Sequence, residues 1–401
     1  MDYEYPDGQS VDFYGFEVVE FYLKRLLLYY SDYALNIRLL YGMIVACIIT
    51  MMVLFVLFMR RIRRTRNRQR EFDSARKNLH DGFYQILISG TKPQVKDLEL
   101  ACDMTLDRIT LYRPETLSKL ISEICMDLSR ELDYIPNAEP LCSLTGVKGF
   151  YERSLASAHR VLFTLQNLVN MQIPVNEGLL AVYINHYDNN IRHMARMCHV
   201  ISSNSDPYRY FLDDLNEKQG LWRFMMLHRL FGWVLANERQ MPQFLILAEK
   251  VQNEESVAFL IQEVAYWGTE QEKASLHKLF LSPNYRYRAA ALHAVAILRD
   301  KSQEKAAIDT FEQQPETIRQ EVLKAVYAIN SGQYTDFFVR AYRTSALKQT
   351  REVALNCLYS YGRDGRRTFE LLRGEVLENE SDRMLMDQID AMGILNQLRM
   401  F

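Results

Sequence analysis

From Leu39 to Met59 the sequence reads LLYGMIVACIITMMVLFVLFM, 21 residues without one charge. A helix of that length rises about 31 Å at 1.5 Å per residue, close to the thickness of a bilayer's hydrocarbon core. A buried helix in a soluble domain seldom runs so far without a charged or strongly polar side chain. The run also starts too far into the chain, and is too long, for the apolar part of a cleaved signal. The first residues, MDYEYPDGQS, are acidic and polar, unlike the basic-then-apolar start of such a signal. The expectation is one transmembrane helix over 39–59.

The next stretch, MRRIRRTRNRQR, carries Arg60, Arg61, Arg63, Arg64, Arg66, Arg68 and Arg70. Alone, it would suit a nucleic-acid arm, a localisation signal or a membrane-edge signal. Its position decides. Residues 60–79 hold nine Lys and Arg, whereas residues 19–38 hold three. The positive-inside rule places the C-terminal side in the cytoplasm and residues 1–38 outside. The seven arginines then sit where anionic lipid headgroups lie, each gaining about 1 kcal/mol near the surface. No nucleic acid is expected, because 38 of the 48 basic and 43 of the 50 acidic residues fall in 71–401, leaving that region net acidic.

Residues 1–38 are too few to bury a core of their own. Between Phe13 and Tyr33, apolar residues at Phe16, Val19, Leu23, Leu26, Leu27 and Tyr30 follow helix spacing. Glu20 and Lys24 sit at i and i+4. These features predict a short amphipathic segment near the membrane surface. Residues 60–80 read as an Arg-rich juxtamembrane helix or linker, and 81–150 as a helical lead-in. The six cysteines show no metal or redox spacing, which suits a reducing compartment.

The apolar pattern is helical nearly throughout, so the fold class is all-α. NYRYRAAALHAVAILRD (284–300), PETIRQEVLKAVYAINS (315–331) and LKQTREVALNCLYSYGR (347–363) repeat one arrangement. An Arg is followed at offsets three, four and six by apolar or small residues. The sets are Arg288, Ala291, Leu292 and Ala294; Arg319, Val322, Leu323 and Ala325; and Arg351, Ala354, Leu355 and Cys357. Offsets of three, four and seven define one helix face. Stepping by about 32 residues reaches Arg383 forwards and Glu255, Arg223 and Arg192 backwards, with a weaker copy at Arg160. Pro283 and Pro315 precede two of the repeated helices, where proline suits the first turn.

A unit of about 32 residues with a small-residue helix after a short loop resembles the HEAT-repeat family, its short version in particular. The resemblance covers about residues 150–400 and is most specific at 284–363. It implies a HEAT-like α-solenoid of stacked helical hairpins over 151–401, each burying its face on its neighbours. It further implies that Arg192, Arg223, Arg288, Arg319, Arg351 and Arg383 pair with an acid or carbonyl of the next unit. Asp387 stands in the last unit where the others have Leu, as a polar terminal cap would require.

No catalytic, cofactor-binding or metal-binding residue is assigned. NHYDNNIRHMARMCHV contains His186, His193, Cys198 and His199, but YDNN is expected to break the helix between the first two, leaving them to packing and capping. SGTKPQVKD (89–97) lacks P-loop spacing and reads as a helix-to-helix loop. Asp213 and Asp214 are adjacent and so point to different helix faces. Trp222, Trp233 and Trp267 lie at repeat helices. Tyr285, Arg286 and Tyr287 sit at a loop-to-helix junction, and exposed aromatic and arginine side chains are what binding hot spots use.

The expected protein is a non-enzymatic, membrane-anchored cytoplasmic scaffold that holds a protein partner, with anionic lipid as its other contact and no cofactor. A bacterial inner-membrane complex, with a polysaccharide-synthesising glycosyltransferase or a signalling partner, is one setting that suits it, although no residue reports it. Two rivals differ in class. One is a transmembrane signal relay sensing through residues 1–38. The other is a lyase or glycosylase, as some short HEAT-like proteins are.

Overall fold

The computed structural model describes residues 20–22, 24–25, 34–132, 134–218, 220–375 and 380–398, and every regular element among them is helical. Phe16, Val19, Leu23, Leu26, Leu27 and Tyr30 lie outside the described residues. Glu20 and Lys24 form the expected i,i+4 ion pair at 2.8 Å, with both side chains exposed.

The chain divides into two compact units, Met1–Ser74 and Ala75–Phe401. Helix α1 (Leu35–Ile88) gives the apolar run and the arginines to the first and its closing residues to the second. Among the described residues it is the one helix long and apolar enough to cross a membrane. The described side chains from Leu39 to Phe58 are all exposed. Thr50 of the run donates its Oγ1 to Ala46 O at 2.6 Å, so that hydroxyl is satisfied within its own helix. The seven arginines from Arg60 to Arg70 are likewise exposed.

The second unit begins with Ala75, Leu79, Phe83, Ile86 and Leu87 of α1 buried at helix spacing. Gly82 allows close approach here, because a Cβ would fall 2.6 Å from Ala101 O and Cys102 Sγ. SGTKPQ (89–94) forms the connection expected over 89–97, while VKD already opens α2 (Val95–Cys102). Asn137 Nδ2 fastens it by donating to Ile86 O at 2.9 Å and Ser89 O at 2.7 Å. Short helices follow: α3 (Leu106–Thr110), α4 (Pro114–Leu128), α5 (Ala138–Leu144), α6 (Val147–Ala156), α7 (Val161–Asn170) and α8 (Glu177–Leu180). Of these, α4, α6 and α7 pack on one another.

From residue 189 a row forms. Helices α9 (Asn189–Ser202), α11 (Leu221–Ala236), α13 (Glu254–Trp267), α15 (Tyr285–Leu298), α17 (Glu316–Ile329), α19 (Lys348–Ser360) and α21 (Glu380–Leu398) each pack on the next. Between them run α10 (Phe211–Asn216), α12 (Phe244–Lys250), α14 (Glu270–Ser275) with a 3-10 turn (Leu276–Leu281), α16 (Lys301–Thr310) with a 3-10 turn (Phe311–Gln313), α18 (Thr335–Thr344) and α20 (Gly362–Glu375).

The repeated residues are what the row buries. Ala291, Leu292 and Ala294 of α15, Val322, Leu323 and Ala325 of α17, and Ala354, Leu355 and Cys357 of α19 are all buried. Helices α15 and α17 even end alike, on the left-handed residues Arg299 and Asn330. Three details differ from the sequence pattern. Pro315 is the N-cap of α17 and Pro283 lies one residue before the N-cap Asn284, so neither proline sits inside the first turn. In α13 the buried residues include Leu260, Ile261, Glu263 and Val264, which puts Val257, not Glu255, in the place of Arg288. In α21 the buried face is Asp382, Leu385, Met386 and Ile389. Asp382 therefore takes the inward place expected of Arg383, and Arg383 and Asp387 are exposed.

Candidate interaction groove

Side chains of four successive row helices line a groove of about 640 Å³. At one end, Leu221 and Phe224 of α11 meet Phe259 of α13, with the Phe224 and Phe259 rings stacked at 4.7 Å. Ala258, Ala289 and Ala290 keep the middle shallow-walled, and Gln262, His293 and Glu321 add polar groups. A second hollow of about 360 Å³ shares His293 and Glu321 and continues along α15 and α17 past Ala296, Ala325 and Ala328 to Lys324 and Arg299.

Tyr285 and Arg286 lie on the rim, in the first turn of α15 and not in the loop before it. Asn284 caps that turn by accepting from Arg286 N at 2.9 Å. Tyr285 is 53% exposed, so its ring is free to be covered. Arg286 Nε donates to the Tyr285 hydroxyl at 3.3 Å, and Nη1 lies 3.8 Å from Glu255 and 3.9 Å from Glu254. Tyr285 and then the two glutamates push this guanidinium further up, so it is a permanent cation. Tyr287 is half-buried; burial and then Glu254 raise its phenol. Glu321 is paired with Lys324 at 2.8 Å. Among the described residues, Gln262 and His293 have no side-chain hydrogen-bond partner.

The six arginines of the repeat pattern divide by what they reach. Arg192 forks onto Glu217, and Arg351 reaches Asp382 of α21 at 3.3 Å. Arg288 donates to Gln314 Oε1 at 2.8 Å, and Gln314 Nε2 donates on to Phe280 O. Arg319 instead turns back to its own approach, donating to the carbonyls of Gln314 and Glu312 at 3.0 Å each. Arg223 is half-buried, and burial lowers its pKa against the pull of Asp214 and Glu217.

Around Arg192 the structure assembles a charged cluster that sequence reasoning had dispersed. Asp188 caps α9 by accepting from Asn190 N at 2.8 Å, so the helix does break between His186 and His193. His193 is buried with Nδ1 on Asp214 and Nε2 3.1 Å from Glu217, and Arg196 lies 3.0 Å from Glu217. Both ring nitrogens therefore face carboxylates. Asp213, beside Asp214, is exposed, as adjacent helix positions require. No group of three or more His, Cys, Asp or Glu placed to hold a metal ion occurs among the described residues.

Trp233 is buried beneath Arg239, whose Cζ lies 4.6 Å from the ring, while Trp222 is 51% exposed. Trp267 Nε1 donates to Glu263 at 2.9 Å. Cys102, Cys125, Cys142, Cys198 and Cys357 are buried and free; burial pushes Cys102 up to about 11 and Cys125 to about 12, so neither is a ready nucleophile.

Phe224, Phe259, Gln262 and His293 were absent from the sequence pattern. Spacing could have found two of them: Gln262, His293 and Lys324 stand 31 residues apart, one per row helix, whereas Phe224 and Phe259 follow no such interval. No protein-family model and no curated protein matches the sequence.

Proposed function

We propose that this chain is a membrane-anchored scaffold whose cytoplasmic part, a HEAT-like solenoid of stacked helical hairpins, holds a protein partner along its groove. The observation that carries this reading is the groove itself. It crosses four successive row helices, is floored by alanines, and is edged by an aromatic pair and by the exposed Tyr285. Apolar floor, aromatic anchor and polar rim are the ingredients of a protein-binding surface. The role is holding a partner, not turning over a substrate.

The anchor is the run Leu39–Met59 of α1, with the seven arginines at the cytoplasmic headgroup layer and residues 1–38 outside. Confinement to a membrane raises the effective concentration of the solenoid near membrane partners. The fit with a bacterial inner membrane and a resident membrane enzyme rests on this topology alone. The test is site-specific photocross-linking of the full chain in native membranes, with the cross-linker at Tyr285 or Phe224 and, as control, at the exposed Leu100. A discrete protein adduct is expected from the groove positions only. Equal labelling from Leu100, or none from the groove, refutes the reading.

A further inference from the structure

Polar side chains of the groove and of the hollow that continues it form a ladder. Gln262 of α13, His293 of α15 and Lys324 of α17 occupy equivalent positions, each 31 residues after the last. Packed helices stand about 8–10 Å apart, so the rungs recur at about that interval. An extended chain of polyproline-II type advances about 9.3 Å every three residues. Its every third residue therefore meets the same kind of rung on successive helices. A helical ligand, with its contacts every 3–4 residues about 5 Å apart, does not keep that step.

The rungs also specify chemistry. Gln262 and His293 have no side-chain partner among the described residues, so a donor on each is left to bind a carbonyl. Lys324, with Arg299 beside it in the second hollow, ends the ladder in positive charge, answered within the hollow by Glu321 alone. The opposite end is the stacked Phe224–Phe259 pair. From α13 to α17 is two helix spacings, or about six extended residues.

Resting on the partner-holding reading above, we infer that the groove takes an extended protein segment with an apolar side chain at Phe224–Phe259. Its carbonyls accept from Gln262 and His293, and an acidic side chain about six residues further along meets Lys324 and Arg299. The partner is thus an acidic, unstructured tail or loop, and its direction across the row is set by the placing of apolar and charged ends.

The full chain in lipid nanodiscs can be panned against a display library of random 12-residue peptides, with counter-selection on empty nanodiscs. Binding of an enriched, fluorescein-labelled peptide is then followed by anisotropy. Enriched peptides are expected to carry an apolar residue and, about six positions on, Asp or Glu. Gln262→Ala and His293→Ala should each weaken binding about three- to tenfold, Lys324→Glu should abolish it, and Lys278→Ala outside the groove should leave it unchanged. His293, Lys324 and Lys278 are exposed and Gln262 is half-buried, and melting curves confirm folding. No enrichment, peptides patterned at helical spacing, or affinity indifferent to Gln262 and His293 overturns the inference. If photocross-linking still yields a partner in that case, the scaffold reading stands and only the extended-segment inference falls. Failure of both removes both.

Discussion

Arg192 and Glu217 form a two-pronged ion pair across 25 positions of sequence: Nε donates to Oε1 at 3.0 Å and Nη2 to Oε2 at 2.6 Å. The same guanidinium donates Nη1 to His186 O at 2.7 Å, so it ties the start of α9 to the connection that follows α10. A lysine supplies one charge and no fork. Arg192→Lys should therefore lower stability by about 1–3 kcal/mol, read as the denaturant midpoint. An unchanged midpoint would show that the fork is ornamental.

Acid should act on the same place. Burial alone would raise the Glu217 carboxyl, but the Arg192 hydrogen bond and the charges of His193, Arg192 and Arg196 outweigh it and hold it below the usual carboxylate range. A carboxyl whose folded pKa is depressed stabilises the fold fully above its unfolded value, about 4.3, and loses that contribution as pH falls through the lower folded value. Glu217→Gln should be less stable than wild type at pH 7, with the gap closing below about pH 4. A gap that persists unchanged to pH 3 contradicts the assignment.

The equivalence of the row helices is testable at Leu292, Leu323 and Leu355, each fully buried. Substituting any one by alanine should cost about 2–5 kcal/mol. Thermal unfolding of the three variants should show comparable losses. If one were tolerated within 0.5 kcal/mol, roughly the range of a surface change, that helix would not share the register of the others.

At the end of the row, Arg351 lies 3.3 Å from Asp382, whereas Arg383 is exposed. Arg351→Ala should speed hydrogen exchange in α21, and Arg383→Ala should leave it within error. Equal effects would restore the unshifted register, with Arg383 in the inward place.

The arginine cluster predicts topology. Changing Arg60, Arg61, Arg63 and Arg64 to neutral residues should move part of a C-terminal reporter to the far side of the membrane, scored by protease access in sealed vesicles. A reporter that stays wholly cytoplasmic shows that the more distal arginines suffice.

What could be seen in the sequence was the part written in apolar periodicity. The helix of Leu39–Met59 and the buried sets around Leu292, Leu323 and Leu355 follow from side chains that must leave water. Misreadings came where a neighbour one position away competes. Asp382 and Arg383 differ by about 100° around a helix, and only packing against Arg351 decides which turns inward. Val257, two positions on and about 200° round the helix, likewise displaces Glu255. The groove was hard to see because its polar residues, such as His293 and Lys324, are exposed and follow no apolar rhythm. Phe224 and Phe259 become partners only once α11 and α13 stack. His193, Asp214 and Glu217 were separate words until α10 folded back on α9.

The 31-residue interval shared by Gln262, His293 and Lys324 gives this part of the chain something like a reading frame. One residue inserted within α15 would swing everything after it by about 100°, carrying Leu292 off the buried face and His293 out of line. One whole unit added or removed would leave every face where it was and lengthen or shorten the ladder by a single rung. The span of what such a surface can grip is thus open to change by duplication, in steps of one helix spacing, while small insertions within a helix are barred to it.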